Sequence, residues 1–307
     1  MRLCAVSVDL DEIPNYFGIH GLSEPDGAAR TLVYDVALDR LTSLAVELSI
    51  PLTLFAIGSD LSRESSAVRL KAASDIGFEV ANHTFDHRYD LVRLPPGEMR
   101  RQVGEGVRAI ERATGVAPVG FRSPGYTVTD ELLGLVSEMG ALYDSSVFPC
   151  PAYFAAKTAK IAAIGLLGRK SYSIVDTPMV LRAPTRPYRI GRPYWQKGDG
   201  LLELPVQVTR GLRLPFFGTS ITLASPGIVK RLARACIGEH LINLELHGID
   251  VLDKHDGLEA LAKHQPDVNV ARERKVGRLR AAITEIASAG YTFVTLREAA
   301  QTFQGTV

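Results

Sequence analysis

Two histidines stand four residues apart in Asn82-His83-Thr84-Phe85-Asp86-His87, directly after the apolar run 78–81. If the chain coils into a helical turn there, positions i and i+4 share a face and both imidazoles reach one cation. Near the start, another apolar run, 3–8, ends in Asp9-Leu10-Asp11, so two carboxylates leave the end of what reads as a first strand. If these runs are parallel strands of one sheet, both motifs emerge at its C-terminal edge, where α/β proteins place their sites. One carboxylate and two imidazoles then make a three-ligand metal site with a position open for water. Singly, neither motif is decisive: loop histidines often bond backbone groups, and paired carboxylates commonly face solvent or cap a helix. Their joint occurrence at strand ends is what points to a metal.

Two further strand ends carry reactive side chains. Gly120-Phe121-Arg122-Ser123-Pro124-Gly125-Tyr126 sets an arginine and a tyrosine at a Pro/Gly turn. An arginine there can grip a carboxylate bidentately and lower its pKa, or simply form a surface ion pair. Leu244-Glu245-Leu246-His247-Gly248-Ile249-Asp250 ends another apolar run with a histidine and an acid. A histidine so placed can act as a general acid, or be an ordinary loop residue.

These residues need a scaffold, and the pattern supplies one. Candidate strands at 3–8, 52–57, 79–82, 119–121, 142–144, 201–206, 241–246 and 291–294 alternate with candidate helices at 28–48, 66–75, 96–114, 129–139, 226–235 and 271–289. Thr129 before Asp130 and Glu131 reads as an N-cap, Thr295-x-x-Glu298 has capping-box spacing, and Gly115, Gly140 and Gly290 fall at C-caps. Repeated βα units of this length predict an α/β fold with a parallel sheet, open or closed as a barrel. At 307 residues and 33.3 kDa the chain fits one barrel-sized domain, 1–307. A formal net charge of +1 with 46% hydrophobic residues excludes bulk disorder and bulk nucleic-acid binding. Three cysteines, Cys4, Cys150 and Cys236, form no paired spacing and suit a reducing cytosol. No signal peptide is visible behind Met1-Arg2-Leu3, so a cytoplasmic location is expected.

Residues 150–200 break the rhythm. Nine Lys or Arg against two acids give this insertion a local balance of +7, mixed with an apolar run over 161–168. A membrane-surface helix meeting anionic lipid through Lys157, Lys160, Arg169 and Lys170 is one reading. A basic excursion packed on the barrel by its apolar side is the other.

Taken in order, the four motifs resemble the polysaccharide deacetylase family, also called the NodB-homology or carbohydrate esterase 4 group. His83-Thr84-Phe85-Asp86-His87 is similar to its His-(Ser/Thr)-x-x-His motif, Arg122-Ser123-Pro124-Gly125-Tyr126 to its Arg-x-Pro-x-Tyr motif, and Leu244 to His247 to its terminal strand and histidine. Asp9-Leu10-Asp11 departs from the adjacent aspartates of the commonest members. It is similar in spacing to peptidoglycan deacetylase-like members and to deformylases of lipid-linked aminoarabinose. The resemblance implies a distorted (β/α) barrel that removes an acetyl or formyl group from an amino sugar of a glycan or lipid-linked precursor. It implies a divalent metal, zinc, on Asp11, His83 and His87. Asp9, held by Arg122, would be the base, the Tyr126 N–H would bind the oxyanion, and His247 would be the acid. Pro124 and Asp250 are expected on the substrate side, with Asp250 the nearest candidate to orient His247. The competing expectations are an amidohydrolase of the same fold acting on a non-sugar amide such as a ring ureide, a non-catalytic glycan- or lipid-binding module, and a metal-dependent phosphoesterase or nuclease. Against the last, the basic segment lacks the stacked aromatics that nucleic acid would use. A peripheral location at the inner membrane face is the expectation attached to 150–200.

Overall fold

The computed structural model describes residues 2–306. Nine strands form one sheet: β1 (Leu3–Asp9), β2 (Leu52–Ala56), β3 (Glu79–Asn82), β4 (Gly120–Phe121), β5 (Tyr143–Asp144), β6 (Tyr188–Ile190), β7 (Lys197–Glu203), β8 (Leu241–His247) and β9 (Thr292–Phe293). Their order is β6-β7-β5-β4-β3-β2-β1-β8, with β9 also on β1, and every pairing is parallel except β6 with β7. Ten α-helices connect or flank them: α1 (Ile13–Ile19), α2 (Leu38–Leu48), α3 (Glu64–Asp75), α4 (Pro96–Thr114), α5 (Asp130–Glu138), α6 (Pro151–Leu166), α7 (Gly218–Leu223), α8 (Pro226–Cys236), α9 (Arg272–Ser288) and α10 (Leu296–Phe303).

The sheet curls on itself. Beyond β7, residues 204–207 bridge its two ends: the Leu204 N–H donates to Asp144 O, and the Gln207 N–H to Asn243 O on β8. The Asn243 amide adds bonds to Leu204 O (2.9 Å) and Pro205 O (3.2 Å). The expected barrel is therefore present, with an irregular seam where a regular strand would close it.

Strand alternation sorts the residues. On β1, Cys4, Val6 and Val8 face the outer helices and join the large core with α2 and α9, whereas Leu3 and Ala5 belong to a separate inner cluster. β8 does the same, with Ile242, Leu244 and Leu246 outward and Leu241 inward. Register pairs Leu3 with Leu241, Ala5 with Asn243, Ser7 with Glu245 and Asp9 with His247. The inner face thus runs from apolar at the N-terminal end, where Leu296, Ala299 and Ala300 of α10 pack, to polar at the C-terminal end. Asp9 and His247 are consequently neighbours by register alone. On the other side, Asn82 pairs with Phe121, which brings His83 and Arg122 to the same level.

Three local differences from the sequence reading have clear causes. Residues 28–48 are not one helix: a 3-10 turn (Gly27–Thr31) and a π segment (Val33–Ala37) precede α2. The N–H groups of Val33 and Tyr34 donate to the Glu12 carboxylate (2.9 and 3.1 Å), so the side chain after Asp11 supplies a cap inside the expected helix. The run placed at 201–206 instead starts at Lys197 and forms an antiparallel ribbon with β6. Segment 150–200 is accordingly partly built into the sheet, with α6 standing outside it.

Candidate metal and acid–base site

All four motifs meet at the C-terminal rim. His83 and His87 approach with their Nε2 atoms 3.2 Å apart, and Asp11 straddles them with Oδ1 3.3 Å from His83 Nε2 and Oδ2 3.2 Å from His87 Nε2. The segment joining the histidines is not the helical turn that their spacing suggested. It is an irregular loop in which Thr84 (φ 70°) and His87 (φ 51°) take left-handed conformations. Such residues cost on the order of 1–3 kcal/mol each. The loop is over-determined by its bonds: Asn82 Oδ1 accepts from the Thr84 N–H, Thr84 Oγ1 from the His87 N–H, and Asn82 Nδ2 donates to Val103 O.

The hydrogen bonding leaves three lone-pair donors facing one point. His83 Nδ1 lies 2.7 Å from the Arg122 carbonyl, which only accepts, so the neutral ring carries its proton on Nδ1 and its lone pair on Nε2. His87 Nδ1 is likewise 3.1 Å from Asn15 Oδ1. In the neutral rings the two Nε2 lone pairs therefore face each other, and buried Asp11 Oδ1 has no hydrogen-bond partner. Burial pushes the Asp11 carboxyl up, but positive charge and N–H bonds from the two imidazoles, when they carry a proton on Nε2, outweigh it and hold it well below the usual carboxylate range. Donors 2.0–2.1 Å from a tetrahedral zinc are roughly 3.3–3.4 Å apart. The separations here, 3.2–3.3 Å, fit a divalent cation of that size.

Next to this triangle sits Asp9, with Oδ2 3.7 Å from His83 Nε2 and 4.0 Å from His247 Nε2. Its other oxygen accepts from Arg122 Nη1 at 2.5 Å. The Arg122 guanidinium is fully buried and bound on every side, to Ser145 O (2.8 Å), Ser145 Oγ (2.8 Å) and Ser7 Oγ (3.0 Å), with Cζ 4.0 Å above the Phe55 ring. That immobility fixes where Asp9 points.

His247 is oriented by Glu245, not by Asp250. Its Nδ1 lies 2.7 Å from Glu245 Oε1, and the two residues share the inner face of β8 at i and i+2. Burial lowers the imidazole pKa, but the Glu245 carboxylate, aided by Asp9, outweighs it and holds the ring well above the ordinary histidine range. Sequence reasoning missed Glu245 although a signal was present: it is the one acid inside the apolar strand Leu241-Ile242-Asn243-Leu244-Glu245-Leu246. Glu245→Gln is expected to shift the high-pH limb of kcat/KM downward, because an acid form sustained by the Glu245 charge is then lost at lower pH. An unshifted pH–rate profile would show that Glu245 does not tune His247.

The remaining expected residues are placed differently. Asp250 is buried behind the site, where Oδ2 accepts from the His247 N–H (2.8 Å), so it holds backbone and is not aimed at a ligand. Pro124 is buried at the start of its turn and does not border the cleft. Tyr126 (φ 59°) does border it, but its N–H donates to Ser123 O at 3.1 Å and is committed to the turn, not free for an oxyanion.

The cleft over the metal triangle has a volume of about 310 Å³, at the low end for small-molecule sites. Tyr16, Tyr126, Tyr153 and Phe217 wall it, and the Tyr16 and Tyr126 rings stand edge-on to His247 at 6.4 Å. α6 forms its far side. Lys157 and Lys160, expected to face lipid, line this cleft instead: Lys157 Nζ donates to Gly125 O (2.7 Å) and Lys160 Nζ to His264 O (3.0 Å). The cause is helical spacing, since Tyr153, Lys157, Lys160 and Ile164 lie on one α6 face.

Fold and site define a curled α/β barrel with a candidate metal-binding triangle flanked by an arginine-held carboxylate and a glutamate-held histidine. Residues 33–143 match the family model for polysaccharide deacetylase, a span that includes His83, His87 and Arg122. Over 147 residues the chain is 31% identical to a peptidoglycan deacetylase-like protein of Gibberella zeae (46% of this chain, 43% of the relative). Also over 147 aligned residues, it is 28% identical to a peptidoglycan deacetylase of Helicobacter pylori (47% and 49%). The chain thus spans about half the length of the curated relatives it matches. Among solved structures, one assigned to the polysaccharide deacetylases from Mycobacterium smegmatis superimposes with TM-score 0.61 at 20% identity, covering 99% of this chain and 91% of the other. An allantoinase does so with TM-score 0.61 at 15% identity (99% and 90%). At these identities the structures speak for the fold alone. Residues 33–143 therefore carry a polysaccharide deacetylase domain match, and the two curated relatives support the same family over the stretch they cover.

Proposed function

We propose that this protein is a metal-dependent hydrolase that removes an N-acyl group, acetyl or formyl, from an amino sugar of a glycan or glycan precursor, with 1–307 acting as one catalytic domain. The observation that carries the reading is the convergence of three potential ligand groups, the Asp11 carboxylate, His83 Nε2 and His87 Nε2, beside an acid–base pair on adjacent strands. Those three residues would hold the cation, zinc on this donor set; when bound, it supplies Lewis-acid polarisation of the acyl carbonyl and acidifies water. Asp9 Oδ2, held in place through Arg122, accepts the proton of the attacking water. His247, kept protonated by Glu245, delivers a proton to the departing amine nitrogen. Water and amide thus become a carboxylate and a free amine, in line with the family and with relatives described as peptidoglycan deacetylases. Purified protein supplied with zinc should release free amine from N-acetyl or N-formyl amino-sugar oligomers and not from a ring ureide such as allantoin. Turnover of the ureide alone would replace the sugar reading.

We attach to this reading a membrane-borne form of the substrate. No helix among the described residues is long and apolar enough to cross a membrane. What supports surface contact is the tip of α6, where Leu166 (90% exposed) and Leu167 (68%) stand beside Arg169 and Lys170. The protein is expected to sediment with anionic vesicles at low salt and to be released as ionic strength rises, whereas Leu166→Ser/Leu167→Ser/Lys170→Glu stays in the supernatant. Absence of parent binding at every salt concentration would remove the membrane from the reading.

A further inference from the structure

Lys157 and Lys160 are positioned by the fold in a way that hydrolysis of a neutral amide does not require. Both border the cleft that contains Asp9, Asp11 and His247, and both amines reach inward to backbone carbonyls, Gly125 O and His264 O. Each of those carbonyls takes one of three ammonium protons, leaving two on each amine free for a ligand. Among the described residues, no carboxylate lies within 4.0 Å of either amine. The carboxylates of the site are already engaged, Asp9 by Arg122, Asp11 by the histidines and Glu245 by His247. His20, beside Lys160, is bonded to Gln265 at 2.9 Å and offers no negative charge. Lys160 stands at the exposed rim of the cleft, whereas Lys157 is partly buried; holding the Lys157 ammonium there without a counter-ion in contact is costly, and the cost is recovered when a ligand brings the opposite charge. Burial accordingly pushes the Lys157 amine down to about 8, with Asp176 offsetting only part of it.

We propose that Lys157 and Lys160 form a subsite for an anionic oxygen group, a phosphate or carboxylate, carried by the amino sugar whose N-acyl group lies at the metal triangle. The sugar rests on the function proposed above; the anion preference does not. Placement supports the geometry: Lys157 touches Gly125, next to the Tyr126 that walls the reaction site, and Tyr153, one turn before Lys157, continues the aromatic wall. α6 therefore joins the aromatic surface to the cations.

The test is calorimetric binding of N-acetylglucosamine, N-acetylglucosamine 1-phosphate and inorganic phosphate to the zinc-loaded protein and to the metal-ligand variant His83→Ala. That variant separates anion binding at the lysines from anion binding at the metal. The 1-phosphate should bind at least about tenfold more tightly than the neutral sugar in both proteins, the scale of a hydrogen-bonded charge pair. Lys157→Met/Lys160→Met should erase the difference, and Lys157→Arg/Lys160→Arg should keep most of it. Equal affinity for the neutral and charged sugars, or a preference that survives the Met pair, overturns the subsite. A preference found only in the zinc-loaded protein also overturns it, because the metal is then the anion's partner. If no N-acyl sugar is hydrolysed but the anion preference persists in His83→Ala, the function fails and the subsite stands.

Discussion

Elemental analysis is expected to give about one divalent metal per chain for the parent and essentially none for His83→Ala or His87→Ala. The argument is one of donor number. Asp11, His83 and His87 are the three groups whose free lone pairs converge within 3.2–3.3 Å, and two remaining ligands do not hold zinc tightly against water. Activity should fall to background with the metal. A second readout is stability: the site forms only when strands β1 and β3 are assembled, so the bound ion stabilises the folded state by mass action, about 4 kcal/mol at a thousand times Kd. A chelator should therefore lower the parent's Tm by several degrees and leave His83→Ala unmoved. Full metal content in either histidine variant would dissolve the site assignment.

The second large effect separates chemistry from architecture at the Asp9–Arg122 pair. Asp9→Asn should retain metal and fold, because the Asn amide oxygen can still accept from Arg122 Nη1, while amide hydrolysis falls roughly 100-fold or more for loss of the general base. Arg122→Met should do something different. It leaves a buried carboxylate without its counter-ion and strips Ser7 Oγ and the Ser145 carbonyl of a donor, a change that costs about 3–5 kcal/mol. Urea denaturation reads this as a lower midpoint at an unchanged slope. Parental activity in Asp9→Asn across the pH range would move the base elsewhere, and parental stability in Arg122→Met would show that the pair is not structural.

The sequence by itself determined a great deal here, because the relevant information is local. Apolar runs 3–8, 52–57 and 79–82 became β1, β2 and β3 within a residue or so, and Pro96 and Thr114 bound α4 as expected, since strand burial on both faces and helix punctuation are written in consecutive residues. The identities of Asp9, Asp11, His83, His87, Arg122 and His247 were legible because each ends or follows a strand, and a parallel sheet carries all such ends to one edge. Other features required the tertiary structure. Whether His83 and His87 converge through a helical turn or a left-handed loop depends on Asn82 reaching Val103, a contact across 21 residues. The partner of His247 was decided by the curl of the sheet, which turns the odd positions of β8 inward, pairs Glu245 with the ring and sends Asp250 behind it. Most of all, the charge balance of 150–200 was visible in the sequence but its direction was not. Composition says how many lysines a helix carries, whereas which of its faces meets the barrel is set by long-range packing, and that packing turned Lys157 and Lys160 toward the cleft and left Leu166 outside.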